Sequence, residues 1–253
     1  MKPLRRNSSA PSKPHGPRVG LARALSKLGL CSRSIAFAFI RSGKVRLNGA
    51  TTRNPEAPVR LGKDRIELEG KPIQPARKIY LLMNKPRGLV TTASDEKGRD
   101  TVYSLLPADL TWLAPVGRLD KASEGLLLFT NDSAWAARIT DPASHLDKTY
   151  HVQINAIPGA KLLASLEQGV LTKSGETFGV KRVHLLRSGE KNSWLEVILD
   201  EGKNRQIRRM LEALDIEILQ LIRIAIGPLL LGDRPKGCTR PLTDVEIRLL
   251  SAK

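Results

Sequence analysis

The order of the apolar segments after residue 79 is the feature that most restricts how this 253-residue chain can fold. Five short apolar runs are candidate strands: IYLLMNK, GLLLFT, TYHVQI, GVKRVHLL and SWLEVIL. Three further segments are candidate helices: SAWAARI, AKLLASLEQ and NRQIRRMLEAL. Strands and helices are mixed without strict alternation, which favours an α+β fold over a doubly wound parallel sheet.

The chain before residue 74 has a different pattern. In VGLARALSKLGL three leucines recur at helical spacing, and Gly29 is placed to end that helix. Ser32 can cap a second helix that contains IAFAFI. KVRLNGA then predicts a short strand that ends in an Asn-Gly turn, and DRIELEGKPI predicts another strand and turn. These elements predict a compact unit of two helices and small strands.

Composition divides the chain into four parts. Residues 1–17 have almost nothing to bury, and we expect them to form a disordered basic tail. Residues 18–73 are predicted to form a small domain, residues 74–78 (QPARK) a linker, and residues 79–250 a larger domain.

Positive charge is concentrated at the amino-terminal end of the chain. The formal net charge is +17, and residues 1–72 supply +12 of it, with 16 Lys and Arg against 4 Asp and Glu. A strongly basic protein is attracted to polyanions, and nucleic acid is the first candidate. A membrane surface is the alternative, but the sequence has no long basic amphipathic helix, so we expect no membrane partner.

Cysteine content and hydropathy indicate a compartment. Cys31 and Cys238 are too few for a disulfide scaffold or a four-thiolate metal site, and they suit a reducing environment. No stretch approaches the ~20 apolar residues of a spanning helix. The sequence also has no apolar signal-peptide core, and we expect a cytoplasmic protein.

Three segments are candidates for chemistry. VGRLDKASEGLLLFTNDS joins an apolar strand to a turn that carries Asp120, although an Asp in a turn is more often a cap or a solvated loop residue. In NRQIRRMLEAL a helix would place Arg205, Arg208 and Arg209 on one face, as at a phosphate-binding helix start. The alternative there is a solvated basic face. Tyr150 in DKTYH is either a core residue or a ring that stacks on an extruded RNA base.

These segments resemble the bacterial ribosomal RNA pseudouridine synthases, in the group that combines small- and large-subunit enzymes. The landmarks occur in order from about residue 79 to residue 250: LMNKPRGLVTT, VGRLDKASEGLLLFTND, DKTYHVQI, EGKNRQIRRM and LIRIAIGPLLLG. Residues 18–72 resemble the ribosomal-protein-S-four-type RNA-binding domain, through GLCSRS, IRSGKVRLNGA and PVRLGKDRIELEGKPI. The resemblance implies a small α/β RNA-binding domain followed by a catalytic domain with a mixed, mainly antiparallel sheet.

The resemblance also implies roles for individual residues. Asp120 corresponds to the essential aspartate, Tyr150 to the tyrosine that packs on the target base, and Arg208 to the basic residue that pairs with the aspartate. Residues predicted to line the substrate pocket are Arg118, Leu119 and Leu221. Cations predicted to contact RNA are Arg33, Arg41, Lys44, Arg46, Lys85, Lys203, Arg205 and Arg209.

The implied reaction breaks the bond from ribose to uracil N1 and rejoins the ribose at C5. It involves no redox change and no net hydrolysis, so no cofactor and no metal are expected. The aspartate either attacks the sugar as a nucleophile or removes a ribose proton to give a glycal, and the sequence does not separate these routes. Either route needs an ionised Asp120 in a pocket that excludes water, and Arg208 is expected to hold it ionised through a bidentate fork.

Alternatives to this function remain open. The resemblance favours large-subunit (23S) rRNA as substrate and a monomeric enzyme, with small-subunit (16S) rRNA as the alternative target. A non-catalytic rRNA-binding assembly factor is a second alternative, although the intact set of Asp120, Tyr150 and Arg208 argues against it. A glycoside hydrolase would need a paired acid, and Glu124 is close in sequence, but no sugar-stacking aromatic residues accompany it.

Overall fold

A computed structural model describes residues 18–93 and 95–251 of the chain. The chain divides into two compact units, residues 1–76 and residues 77–253. The tail predicted at residues 1–17 lies outside the described residues.

Over residues 18–76, the first unit contains two helices and six short strands. The helices are α1 (Leu21–Lys27) and α2 (Arg33–Arg41), and the strands are β1 (Val19–Gly20), β2 (Val45–Leu47), β3 (Ala50–Thr51), β4 (Pro58–Val59), β5 (Ile66–Leu68) and β6 (Lys71–Pro72). Strands β3, β2, β5 and β6 form one antiparallel sheet in that order, and β1 pairs with β4.

Local signals in the sequence explain the boundaries of these elements. The side chain of Ser32 accepts a hydrogen bond from the backbone N–H of Ile35, at 3.1 Å, and caps α2 as predicted. The predicted Asn-Gly turn joins β2 to β3, with Asn48 and Gly49 both at positive φ. Leu25 and Ile40 are fully buried in the core that the two helices share with the sheet. Both helices thereby contribute buried residues to this core.

The second unit is built on a large sheet, beside which β11 and β12 pair only with each other. The strands of the unit are β7 (Tyr80–Lys85), β8 (Ala114–Val116), β9 (Glu124–Thr130), β10 (Lys148–Ile154), β11 (Val170–Leu171), β12 (Thr177–Phe178), β13 (Arg182–Ser188), β14 (Ser193–Leu199), β15 (Ile218–Ile226), β16 (Leu229–Leu230) and β17 (Thr239–Pro241). Its α-helices are α3 (Ser133–Thr140), α4 (Ala160–Gln168), α5 (Gln206–Ala213) and α6 (Asp244–Ser251). The strand order is β13-β14-β10-β15-β9-β7-β17, with β16 paired to β15 and β8 paired to β9.

All pairs in this sheet are antiparallel except β9 with β15. The predicted α+β class and the mixed, mainly antiparallel sheet are therefore confirmed. The five predicted strands are all present, although the one in GVKRVHLL begins only at Arg182. The central strand β15 was not predicted, and it is the longest in the sheet.

The parallel pair depends on a glycine. Gly125 has φ +100, and a Cβ at this position would lie 2.3 Å from the carbonyl oxygen of Arg223 on β15. Only glycine lets the two backbones approach this closely without displacing one of them. This contact joins the start of β9, just after the turn that carries Asp120, to the middle of β15.

Cores lie on both sides of the sheet, as the alternation of strand residues requires. On β9, Leu126 and Leu128 belong to the core that includes Trp135 of α3 and Leu250 of α6. The intervening Leu127 belongs to another core, formed with residues of the segment 102–119. A third core packs α4 and α5 against β10, β13 and β14. The start of α5 is thereby held beside β10.

Candidate active site

The turn that carries Asp120 is fixed by the last residue of β7 and by the chain that follows it. The ammonium of Lys85 donates hydrogen bonds to the carbonyl oxygens of Pro86, Asp120 and Ser123, at 3.1, 3.1 and 2.8 Å. The hydroxyl of Thr91 donates to the carbonyl oxygen of Leu119, at 2.8 Å. The turn between β8 and β9 is thus tied to a second segment of the chain on both sides of Asp120.

The prediction that Lys85 contacts RNA is wrong. Its side chain is fully buried, and its three N–H groups are matched by three backbone carbonyls. Burial lowers the pKa of Lys85 from 10.5 to about 8, and attraction to Glu124 and Asp120 opposes that shift. Lys85 therefore stabilises the Asp120 turn from the protein interior, and its charge is not exposed at the surface.

Two arginines flank the Asp120 carboxylate. Its Oδ2 lies 3.6 Å from Nε of Arg208 and 3.7 Å from Nη1 of Arg205. The bidentate fork predicted for Arg208 is not formed, because its Nη2 donates instead to Ala122 O and Ser123 Oγ, both at 3.1 Å. Arg208 thus binds the turn as well as pairing with the carboxylate. The Asp120 carboxyl group therefore lies beside two guanidinium groups.

Burial differs between the two arginine side chains. That of Arg208 is 15% exposed, and its burial lowers the pKa of the guanidinium, while attraction to Asp120 opposes the shift. The side chain of Arg205 is 51% exposed. The Asp120 side chain is itself 35% exposed, so the water-excluding environment expected for it is not present in the chain alone.

The three arginines predicted to share one helix face are divided. Helix α5 begins at Gln206, and Arg205 precedes it in a left-handed conformation with φ 51. The guanidinium of Arg209 forms an ion pair with Glu176 and lies 4.6 Å from the centre of the Phe178 ring. Arg209 therefore connects α5 to the β11–β12 hairpin, whereas Arg205 and Arg208 reach Asp120.

A cavity of about 490 Å³ opens beside Asp120. The catalytic and pocket residues predicted from the sequence all line it: Arg118, Leu119, Asp120, Tyr150, Arg208 and Leu221. Tyr150 comes from β10 and Leu221 from the neighbouring β15, so the sheet forms one wall of the cavity. The predicted RNA-contacting residues Lys203 and Arg205 line the same cavity. Its volume is within the range of small-ligand sites.

Sequence reasoning assigned no pocket role to two cations of this cavity, Lys148 on β10 and Arg223 on β15. Arg223 is 6% exposed, and its Nε donates to the carbonyl oxygen of Leu126, at 2.8 Å. Burial and the neighbouring Arg223 charge lower the pKa of Lys148. The signal that could have revealed Arg223 is its position within the apolar run LIRIAI, where a charged residue is unusual.

The cations predicted to bind RNA in the first unit are at its surface. Arg33, Arg41, Lys44 and Arg46 are all exposed, and Lys44 also pairs with Glu69, at 2.7 Å. Their contact with RNA stays a prediction.

Neither a cluster of metal-binding side chains nor a membrane-crossing helix occurs in the described part of the chain. Residues 18–93 and 95–251 contain no group of three or more His, Cys, Asp or Glu residues that could hold a metal ion. Over the same ranges, no helix has the length and apolar character needed to cross a membrane.

Two family models match the chain. The model for RNA pseudouridylate synthase matches residues 79–213, which include Asp120, Tyr150 and Arg208. The model for the S4 domain matches residues 19–66.

Individual proteins are similar over almost the whole chain. Ribosomal large subunit pseudouridine synthase B of Bacillus subtilis (strain 168) is 35% identical over 92% of this chain and 95% of its own length. An uncharacterized RNA pseudouridine synthase of Aquifex aeolicus (strain VF5) is 34% identical over 92% of this chain and 93% of its own. A crystal structure of a pseudouridylate synthase superposes with a TM-score of 0.65 and 30% identity, over 92% of this chain and 99% of that chain.

Proposed function

The chain belongs to the RNA pseudouridylate synthase family, and on that premise we propose that it converts a uridine of large-subunit ribosomal RNA to pseudouridine with Asp120 as the catalytic residue. The observation that carries the proposal is the Asp120 carboxylate, which lies within 4 Å of two arginines at the edge of a cavity shared with Tyr150. The activity of an RNA pseudouridine synthase follows from the family, and the role of Asp120 and the choice of RNA are proposed here.

The arginine pair suits the demand on Asp120. Both routes open to the aspartate, nucleophilic attack on the sugar and removal of a ribose proton, require its charged form. Arg208 and Arg205 keep that charge stable when an RNA strand covers the site and excludes water. Because Arg208 also donates to the turn through Ala122 O and Ser123 Oγ, it fixes the position of the carboxylate as well as its charge.

The position of Tyr150 supports a role in receiving the target base. It is partly buried on β10, it lines the cavity, and it packs against the apolar core that α4 and α5 form with β10, β13 and β14. A uracil must leave its stack in RNA before it can be detached and turned, and an aromatic ring replaces part of the lost stacking energy. Leu221, on the adjacent strand, supplies an apolar contact in the same cavity.

The choice of ribosomal RNA rests on two observations. The relative from Bacillus subtilis is called a large subunit pseudouridine synthase, and it aligns along nearly the whole chain. The first unit matches the S4 domain and presents exposed cations such as Arg33 and Arg46. We propose that this unit binds the RNA backbone and that the enzyme acts as a monomer in the cytoplasm during ribosome assembly.

The test of this proposal is Asp120→Asn, with Asp109→Asn as a matched control at an exposed aspartate outside the cavity. The amide has the shape of the carboxylate but is neither a useful nucleophile nor a base. We expect release of tritium from C5-labelled uridine in large-subunit rRNA to vanish in Asp120→Asn and to persist in the control. Activity of Asp120→Asn within about tenfold of wild type would exclude Asp120 as the catalytic residue.

The target itself can be located in cells. Carbodiimide primer extension on ribosomal RNA from a deletion strain should show one pseudouridine missing from the large-subunit RNA. A missing pseudouridine in small-subunit RNA would transfer the proposal to that substrate, and an unchanged map would favour the non-catalytic assembly factor.

A further inference from the structure

Lys148 and Arg223 line the cavity from neighbouring strands, and the pairing of Asp120 does not involve them. Arg223 is held in place by the hydrogen bond from its Nε to Leu126 O. Its Nη2 is buried and has no hydrogen-bond partner among residues 18–93 and 95–251. A buried guanidinium nitrogen without a partner is energetically costly, which suggests that its partner is supplied by a ligand.

The sheet places these cations next to Tyr150. Tyr150 and Arg223 are register partners in the β10–β15 pair, so the arginine lies beside the tyrosine across the strands. Lys148 precedes Tyr150 by two residues on β10, which puts both side chains on the same face of the sheet. A base held against Tyr150 would therefore be within the reach of both cations.

The positive charge of this wall is not neutralised by an ion pair. Neither Lys148 nor Arg223 forms a salt bridge with a carboxylate in the described part of the chain. Asp147 and Asp200 attract Lys148, but Asp147 is already engaged by Lys181 at 2.8 Å. The wall is therefore prepared for a group that carries or acquires negative charge.

We propose that Lys148 and Arg223 bind the carbonyl oxygens of the target uracil and stabilise the negative charge that the base acquires when it leaves the ribose, an inference that rests on the proposed function. When the C1′–N1 bond breaks, its electron pair passes to N1 and spreads to O2 and O4. C1′ either bonds to Asp120 or becomes part of a glycal after Asp120 takes the 2′ proton. The C5–C1′ bond then forms as the C1′–Asp120 bond breaks on the first route, or as Asp120 returns the proton to C2′ of the glycal on the second. C5 finally loses its proton and N1 gains one, so atoms and electrons balance on both routes.

Burial favours the base over a phosphate as the occupant. Phosphates stay close to solvent, and the exposed Arg205 and Lys203 at the same cavity suit them, with side chains 51% and 49% exposed. Arg223 is buried, and the apolar Leu199 and Ile226 line the cavity with it. A cation in such surroundings acts more strongly on a developing charge than one in water.

The experiment uses a short RNA that contains the mapped target, made once with uridine and once with 5-fluorouridine at that position. Fluorine withdraws electrons and stabilises the uracil anion, so the departing base needs less help from the protein. Single-turnover rates with saturating full-length enzyme are followed by chromatography of nucleosides, as formation of pseudouridine or loss of 5-fluorouridine. The variants are Arg223→Gln and Lys148→Gln, and the Lys148 side chain forms no hydrogen bond within residues 18–93 and 95–251. Ile226→Val is the apolar control from the same cavity.

We expect Arg223→Gln to lower the single-turnover rate on the uridine RNA about 100-fold, and Lys148→Gln to lower it about tenfold. Both reductions in rate should be at least severalfold smaller on the 5-fluorouridine RNA. Ile226→Val should slow both RNAs equally. If Lys148→Gln lowered the single-turnover rate by the same factor on both RNAs, the proposal would be overturned. A loss of RNA affinity with an unchanged rate at saturation would overturn it as well. A wild-type enzyme that converts neither RNA would instead refute the proposed function.

Discussion

Replacing Lys85 by methionine should loosen the turn that carries Asp120. Methionine approximates the length of lysine and suits a buried position, so the substitution removes the ammonium while keeping much of the packing. The ammonium is the donor to the carbonyl oxygens of Pro86, Asp120 and Ser123. Water does not reach this buried position, so these carbonyls lose a partner that solvent cannot replace.

The expected loss of stability is the difference between the free energy of the hydrogen bonds and the cost of burying the ammonium. A hydrogen bond from a charged donor contributes about 2 kcal/mol, so three contribute about 6 kcal/mol. Burial opposes them, because it lowers the pKa of Lys85 from 10.5 to about 8. A shift of that size corresponds to about 3 kcal/mol at neutral pH. Lys85→Met should therefore lower the free energy of unfolding by about 3 kcal/mol.

Urea unfolding and single-turnover kinetics measure the two consequences. The rate should fall by about a hundredfold, because the backbone of Asp120 loses its anchor and a displacement of 1 Å has that effect. Lys121→Met is the matched control, since Lys121 is an exposed lysine in the same turn, and it should change stability by less than about 0.5 kcal/mol. If Lys85→Met is as stable as wild type and loses only RNA affinity, Lys85 contacts RNA and its structural role is refuted.

Three further predictions concern Arg208, the carboxyl-terminal helix and the first unit. Arg208→Lys keeps the charge but loses the contacts to Ala122 and Ser123, so it should impair the rate at saturation more than RNA affinity. Hydrogen bonds from Arg240 lower the pKa of Glu246 from 4.5 to about 2. The stabilising contribution of Glu246 is thus complete above pH 4.5 and is lost as the pH falls towards 2. Glu246→Gln should therefore lower the free energy of unfolding by about 2 kcal/mol at pH 7 but leave it unchanged near pH 2. A protein that begins at residue 75 should fold and keep its kcat, bind rRNA with a higher KM, and show a shallower salt dependence.

Each of these predictions has a result that contradicts it. For Arg208→Lys it is a collapse of affinity with an unchanged rate at saturation, measured by filter binding beside single-turnover kinetics. For Glu246→Gln it is a loss of stability that urea unfolding finds equal at pH 7 and near pH 2. For the shortened protein it is a kcat of zero with a folded circular dichroism spectrum, which would mean that the first unit helps to build the active site.

Local signals in the sequence were sufficient for most elements of the fold. Ser32 capped α2 and the Asn-Gly turn joined β2 to β3 as predicted, because a cap or a tight turn depends on a few neighbouring residues. The strand in SWLEVIL and the helix in AKLLASLEQ have the predicted bounds. Strand β15 was missed, since the charged Arg223 interrupts its apolar run and only pairing with β9 and β10 makes it the middle of the sheet.

By itself, the sequence determined the α+β class, the candidate trio of Asp120, Tyr150 and Arg208, and the resemblance to a family that the comparisons then showed. Only the tertiary structure decided what each cation does. Lys85 is buried beneath the Asp120 turn, and Arg209 faces Phe178 and Glu176. A charge in a sequence has no fixed environment, because burial and pairing depend on segments that are distant along the chain and meet only when the sheet forms.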